Sequence, residues 1–220
     1  MARKMVFPGE FIVEGDLKMG DGVFRENKRV YSSVMGLLDL KENFVKVIPI
    51  TGRYFPKAND FVVGEIEDMD FGSWYTNIGT AYSATITAKD YFSERDGFQE
   101  DISKVMRIGD AVYAMIREIS PRKRVFLSMR ERGSRKLRGG RIIEVTPAKV
   151  PRIIGRQGSM ISMIKHETGC QVLVGQNGRV WIEGPQEKMD LVAGIIERIE
   201  KDAHTQGLTE NIKNMIMKER

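Results

Sequence analysis

Apolar positions along this chain follow two rhythms. Up to about residue 130 they alternate with polar ones over short runs, the period-two pattern of half-buried strands. Within residues 1–57, RVYSSVMGLLDL and NFVKVIPITG behave this way, in a stretch rich in Gly, Val and aromatic residues with no long helical period. A small β domain is expected there. YFPKANDF then brings Pro56 and the turn pair Asn59-Asp60, and a boundary is expected before residue 58. Residues 58–130 hold five further strand-like runs: FVVGEIEDMDF, GSWYTNIG, TAYSATITA, DAVYAMIREI and KRVFLSM. The polar segment KDYFSERDGFQEDISKVMRIGD separates the third from the fourth. ERGSRKLRGG, residues 131–140, is charged and rich in Gly and Ser, and predicts a basic linker.

From residue 141 the helical period takes over. RIIEV reads as a strand. TPAKVPRII allows only a short helix, because Pro151 has no N–H and fits within a first turn and not later. That helix starts no earlier than about Pro147. SMISMIKHET carries Met160, Ile161, Met163 and Ile164 and stops at Gly169, a natural C-terminal cap. CQVLV and RVWIEG are strands joined by Gly175-Gln176-Asn177-Gly178. QEKMDLVAGIIERIEKD puts Met189, Val192, Ile196 and Ile199 on one helical face. Residues 141–204 thus read β-α-α-β-β-α. Residues 205–220 place Leu208, Ile212, Met215 and Ile216 on one side of a helix too short to stand alone, which must dock on its own domain or on a partner.

The chain has 220 residues, 41% hydrophobic and 30% charged, an ordinary globular composition, and its length suits one or two ordinary domains, or three if they are small. No run approaches the ~18 apolar residues of a membrane span. MARKMVFPGEF has no apolar segment of signal-peptide type, and Cys170 is the only cysteine, so no intrachain disulfide framework is expected. A cytoplasmic location follows as the expectation. The net charge is +5, and its distribution matters more than its size. Between Arg117 and Arg141 lie ten basic residues against Glu118 and Glu131, a local charge of +8 that leaves −3 for everything else. A stripe of this kind suits a polyanion, although a solvated linker would look the same.

Two glycines interrupt the apolar run IIGRQGSMI. The residues before them belong to one helix and those after them to the next, so Gly155 and Gly158 make the bend. Without a Cβ at either position a sugar–phosphate backbone can come close to the main chain. The following helix offers free N–H groups and the positive end of its dipole. Arg156 adds charge and Gln157 a neutral donor. A bare GxxG is equally the mark of a tight helix–helix turn. Placed between the two helices of a β-α-α-β-β-α unit, however, IIGRQGSMISMIKHETGCQV resembles a type I KH domain, whose loop clamps about four nucleotides of a single strand. No GK[ST] follows the glycines, which excludes a P-loop, and GxGxxG is absent there.

Five strands with one long connection suit a Greek-key barrel of OB type, whereas an immunoglobulin-like sandwich needs about seven. Phe71, Trp74, Tyr75 and Tyr82 are its candidate aromatics. Trp74 and Tyr75 are adjacent and must point to opposite faces, one toward the core and the other available to stack a base. With Arg122, Lys123 and Arg124 they form the candidate RNA surface of the barrel. FG…GD…VFLSM resembles the S-one-type RNA-binding domain, with Gly109-Asp110 and Leu127-Ser128 matching its closing strands and Asn59-Asp60 replacing a Gly-Asp.

A β-rich N-terminal domain, an S-one-type barrel and one KH domain, in that order, resemble the KH-containing RNA-binding cap subunit of the archaeal exosome. VFPGEF, GDGVF at 20–24 and YFPKANDFVVGEI look like that family's N-terminal domain and junction, and GQNGRVWIEG like its second signature. The resemblance implies that Gly175, Asn177 and Gly178 form a structural turn at the KH–barrel contact. It also implies a trimeric cap on a hexameric ring of ribonuclease PH-like subunits, shared in some assemblies with a zinc-ribbon paralogue. Residues 1–57 would hold the ring. Single-stranded RNA 3′ ends would be captured and threaded to phosphorolytic sites on other chains for 3′-to-5′ degradation or processing. This chain cannot be the zinc-ribbon paralogue, because one cysteine does not make a Cys₄ site. No nucleophile, metal or cofactor motif stands out. His166 is expected at the surface, and the acidic runs GEIEDMD and DGFQED in solvated loops or edges. The alternatives are a transcription elongation and termination factor, which carries two KH units of the opposite topology, and a nuclease active by itself.

Overall fold

The alternating runs at the N-terminus form seven strands: β1 (Met5–Val6), β2 (Phe11–Glu14), β3 (Lys18–Met19), β4 (Val23–Glu26), β5 (Arg29–Ser32), β6 (Gly36–Lys41) and β7 (Phe44–Pro49). They appear in a computed structural model that describes residues 4–92 and 102–202 together with Glu210, Ile212, Lys213 and Met215. One sheet has the order β1-β6-β7-β3 and a second the order β2-β5-β4. Val6, Val30, Val45 and Val47 are fully buried between them. The unit is small, and much of its apolar surface stays outside. Phe11 and Phe24 flank Tyr31 across the second sheet, with ring centroids 6.0 and 5.5 Å apart. Met5, Phe7, Phe11, Met19, Phe24 and Leu40 are all exposed.

The chain divides into two compact units, Met1–Gly52 and Arg53–Arg220. The division falls a few residues before the boundary expected at 57, for a clear reason. Tyr54 donates its hydroxyl to Asp60 and packs against the barrel core, so the segment from Arg53 already belongs to the second unit. Burial, and then the Asp60 carboxylate, push the Tyr54 hydroxyl pKa far above its ordinary value.

The barrel consists of β8 (Phe61–Met69), β9 (Ser73–Asn77), β10 (Ser83–Thr87), β11 (Ala111–Ile119) and β12 (Arg124–Ser128). Each strand pairs with the next around a closed ring, β8-β9-β10-β12-β11 and back to β8, and only the β10–β12 pairing is parallel. The short helix α1 (Ala88–Tyr91) follows β10, capped by the Thr87 hydroxyl. Val62, Ile66, Trp74, Ile86, Ile116 and Leu127 fill the interior. Asn59, in place of the expected glycine, holds φ 70°, a left-handed conformation that Asn tolerates better than most residues. Its N–H bonds to the Ile116 carbonyl at 2.8 Å and seats the first barrel strand against β11.

The stretch read as a linker carries a strand. In β13 (Arg135–Leu137), Ala111, Val112 and Tyr113 of β11 pair antiparallel with Leu137, Lys136 and Arg135. Leu137, at 5% exposure, is the single apolar residue that draws this charged segment onto the barrel.

The remaining elements are β14 (Arg141–Glu144), α2 (Val150–Ile154), α3 (Ser159–Thr168), β15 (Gln171–Val174), β16 (Arg179–Glu183) and α4 (Gln186–Lys201). The sheet order is β14-β16-β15, all antiparallel. A single 3₁₀ turn, Pro147–Lys149, leads into α2. Val172, Val174, Val180 and Ile182 face the helices and meet Ile153, Ile164, Val192, Ile196 and Ile199. Of the C-terminal segment, Ile212 is buried in this same core and Met215 packs against it, so it docks on its own domain; Leu208 and Ile216 lie outside the described residues. No helix among the described residues is long and apolar enough to cross a membrane.

Candidate nucleic-acid interface

The bend between α2 and α3 is built from backbone. Gly155 has φ 76° and ψ 175°, Gln157 φ 53° and Gly158 φ 78°. Three positive φ values in four residues turn the chain sharply enough to start α3 directly after α2 ends. The two glycines have different reasons for being there. A Cβ on Gly155 would lie 2.7 Å from both the nitrogen and the Cβ of Met160, so the fold itself forbids a side chain. A Cβ on Gly158 would meet nothing within 4 Å, so that position opens onto solvent. Arg156, Gln157 and Ser159 are exposed around it. The first turn of α3 lacks partners for its leading N–H groups within the helix. The result is an exposed, glycine-lined concavity with a cation at its rim and a helix dipole behind it, a geometry suited to a phosphate.

The turn Gly175-Gln176-Asn177-Gly178 points the other way, into the barrel. Asn177 is 7% exposed. Its Nδ2 donates to the carbonyls of Val63 at 2.8 Å and Ile78 at 2.9 Å, and its Oδ1 accepts from the Val63 N–H at 3.2 Å. The Gln176 N–H donates to the Phe61 carbonyl at 2.7 Å, and the Gly178 N–H closes the turn on Gly175 at 3.1 Å. Gly175 leaves room for this, since a Cβ there would fall 2.2 Å from Asn177 Oδ1. Arg179 follows, donating to the Asn77 carbonyl at 2.9 Å and to Glu144 at 3.1 Å. Behind the turn a second apolar layer forms from Val63, Leu137 and Trp181. Trp181 Nε1 donates to the Gly139 carbonyl at 2.9 Å. Barrel and KH sheet are therefore one packed unit, not two modules on a tether.

Across residues 3–51 the chain matches the family model described as the exosome RNA binding protein RRP4 N-terminal domain, and across 140–188 that of the KH domain. The exosome complex component Rrp4 of Pyrococcus furiosus is 42% identical over 98% of this chain and 83% of its own length. That of Methanobrevibacter smithii is 40% identical over 97% and 71% respectively. The chain belongs to the Rrp4 family. A solved exosome complex RNA-binding protein, 31% identical, superposes on 77% of this chain and 98% of its own with a TM-score of 0.65. The one KH unit within the described residues of this Rrp4-family chain runs β14-α2-α3-β15-β16-α4, opposite in topology to the KH pair of the transcription-factor alternative.

On the barrel of this Rrp4-family protein the structure separates the two adjacent aromatics. Trp74 is wholly buried, its Nε1 donating to the Met106 carbonyl at 3.2 Å, and it is withdrawn from the RNA-facing set. The pairings Met69↔Trp74 and Ile86↔Trp74 place it on the inner face of the barrel wall. Tyr75 lies outside at 40% exposure. Its hydroxyl donates to Asp70 at 2.8 Å, and that hydrogen bond pushes the phenol pKa up. Phe71, at the tip of the β8–β9 turn, is the most exposed large apolar residue described. It was among the candidate aromatics of the sequence, but strand alternation could not place it, because it lies outside the strands.

Arg122 and Lys123, in the turn from β11 to β12, and Arg124, the first residue of β12, are all exposed and pair with no carboxylate among the described residues. Other members of the basic stripe are held internally. Arg117 pairs with buried Asp90 and lies over the Phe126 ring, Lys136 pairs with Asp110, and Arg141 with Asp190 at 2.9 Å. His166 is exposed, 3.3 Å from Glu167; His204 and the run DGFQED fall outside the described residues. Glu65, Glu67 and Asp68 of the other acidic run are solvated on β8.

Proposed function

We propose that this chain is a non-catalytic RNA-binding cap subunit of an archaeal-type exosome. The observation that carries the reading is the bend at Gly155–Gly158, open to solvent at Gly158 and rimmed by Arg156 and Gln157, in a member of the Rrp4 family. Curated relatives of that family are named exosome complex components, and the superposed structure is that of an exosome complex RNA-binding protein. Gly155, Arg156, Gln157 and Gly158 hold the phosphates of a single strand. Tyr75 with Arg122, Lys123 and Arg124 supplies the barrel side, and Gly175, Asn177 and Gly178 are structural.

Residues 1–57 dock on a hexameric ring of ribonuclease PH-like subunits, and the exposed apolar residues of the first unit, Phe11 and Phe24 among them, supply apolar surface for that contact. Three copies surround the ring's pore, alone or mixed with a zinc-ribbon paralogue. The barrel and KH unit of each, residues 58–130 and 141–204, deliver RNA 3′ ends to phosphorolytic sites on the ring in the cytoplasm.

Fluorescence anisotropy with a single-stranded RNA tests this directly. Arg156→Asp combined with Gln157→Asp places two carboxylates where phosphates would lie and should weaken binding at least ~10-fold at low salt. Unchanged affinity would remove the KH loop from the function. Deleting residues 1–57 should abolish ring association and leave RNA binding. RNA breakdown by the purified chain, with or without phosphate, would show instead an enzyme in its own right.

A further inference from the structure

The helix that leads into the bend is poorly supported by its own backbone. α2 has five residues, Val150–Ile154, and follows the single 3₁₀ turn Pro147–Lys149. Pro147 and Pro151 have no N–H to give. The Lys149 N–H reaches the Thr146 carbonyl at 2.8 Å, the Val150 N–H reaches that of Pro147, and the Gly155 N–H closes on Pro151 at 3.0 Å. A helix this short does not hold its place on local bonds alone. Val150 and Ile153, wholly buried in the KH core, fix its inner side.

Other elements fix its start. From one side comes the turn at 175–178. The Val145 N–H donates to the Gly178 carbonyl at 2.7 Å, and a Cβ on Gly178 would fall 2.3 Å from Val145 O and 3.1 Å from Pro147 Cγ. From the other side comes Glu200, in the last turn of α4. Its Oε1 accepts the Thr146 N–H at 2.8 Å and also the Thr146 hydroxyl. The Thr146 side chain makes no capping bond to the 3₁₀ turn that follows it. A carboxylate in the last turn of a helix faces the negative end of that helix's dipole, an unfavourable place. The same carboxylate meets the positive end of the turn at Pro147–Lys149, a favourable one. Glu200 is thus stabilised by the element it meets and not by the one it sits on.

We propose that Glu200 is a positioning residue for RNA binding: through Thr146 it holds the start of α2, and so keeps the Gly155–Gly158 bend in its binding geometry before RNA arrives. The role rests on the reading of that bend as an RNA clamp, and it needs no contact between Glu200 and RNA. Without the anchor the 3₁₀ turn and α2 fray from the Thr146 end. The fraction of molecules with a competent bend falls, and the apparent affinity falls with it.

Fluorescence anisotropy of the full chain with a ~4-nucleotide single-stranded RNA tests this. Glu200→Ala removes both bonds and should weaken binding about 3–10-fold. Glu200→Gln keeps an acceptor in place and should stay within about twofold of the parent. Both variants remove the same negative charge, which alone would tighten the hold on a polyanion equally in each. The slope of log K against log salt should keep the parent's value in both, because no phosphate contact is lost. Exchange of the Val150 amide should quicken in Glu200→Ala and return to the parent rate in Glu200→Gln. A loss of stability alone would lower the melting temperature and leave the affinity of the folded chain unchanged. Where Glu200→Ala folds poorly, Thr146→Val removes only the hydroxyl bond and should weaken binding, and Thr146→Ser should restore it. Equal affinities for the two Glu200 variants, or for the two Thr146 variants, overturn the positioning role. The Arg156→Asp, Gln157→Asp variant separates the two ideas. If it loses the RNA while Glu200→Ala binds like the parent, only the positioning role falls. If it keeps the RNA, the clamp and the role that rests on it both fall.

Discussion

Asn177→Ala removes the polar pin that joins the KH turn to the barrel wall. Three hydrogen bonds go with it, to Val63 N–H, Val63 C=O and Ile78 C=O, all in a buried setting. A hydrogen bond contributes about 0.5–1.5 kcal/mol net, and a buried donor left unpaired costs about 1–3 kcal/mol. Water entering the vacated space would recover part of this, which leaves an expected loss of about 3 kcal/mol. For a unit as large as Arg53–Arg220, each kcal/mol lowers the melting temperature by about 2–4 °C, so a drop of about 6–12 °C is expected. Scanning calorimetry of the full chain reads this directly. Asn177→Asp is the matched control. It keeps an acceptor for Val63 N–H but sets a carboxylate against two carbonyl oxygens. Burial raises that carboxyl's folded pKa above its unfolded value, so folding takes up a proton and the variant loses stability as pH rises from acid to neutral. Asn177→Ala melting within about 2 °C of the parent would refute the pin.

Trp74→Ala should cost about 3–5 kcal/mol by opening a cavity in the barrel, whereas Tyr75→Ala should change the urea midpoint little and weaken RNA binding; the reverse pattern would place the wrong ring inside. Acid should also loosen the barrel end. Burial works to raise the Asp110 pKa, but the hydrogen bonds from Lys136 and the Arg107 N–H outweigh it and hold the carboxyl below its ordinary range. A depressed carboxylate contributes stability above its unfolded pKa of ~3.9 and loses it as pH falls through the folded value. Urea midpoints between neutral and acid pH should therefore fall less steeply for Asp110→Asn than for the parent.

Strand alternation and the shift to a helical period made most of these elements legible in the sequence. Pro147, Pro151 and Gly169 fixed the KH helices closely because each acts locally. What stayed hidden depended on contacts distant in sequence. Trp74 and Tyr75 had to face opposite ways, but only pairing with Met69 and Ile86 decides which goes in. β13 was masked by charge, since one residue, Leu137, anchors it. A usable signal did exist for the second apolar layer. Val180-Trp181-Ile182 is an unbroken apolar run, and a strand buried on both faces reads that way. The faces of the KH sheet had to be covered by helices on one side and something else on the other, and that something is the barrel. The Gly155–Gly158 bend was found from its motif, but the different reasons for its two glycines needed Met160 beside Gly155.

The most direct measurement is a backbone-amide NMR titration of the full chain with a ~4-nucleotide single-stranded RNA. The amides of Arg156, Gln157, Gly158 and Ser159 should show the largest shifts, with the Asn177 amide unmoved. Shifts that spare the bend, or that cluster only on the barrel, would contradict the account.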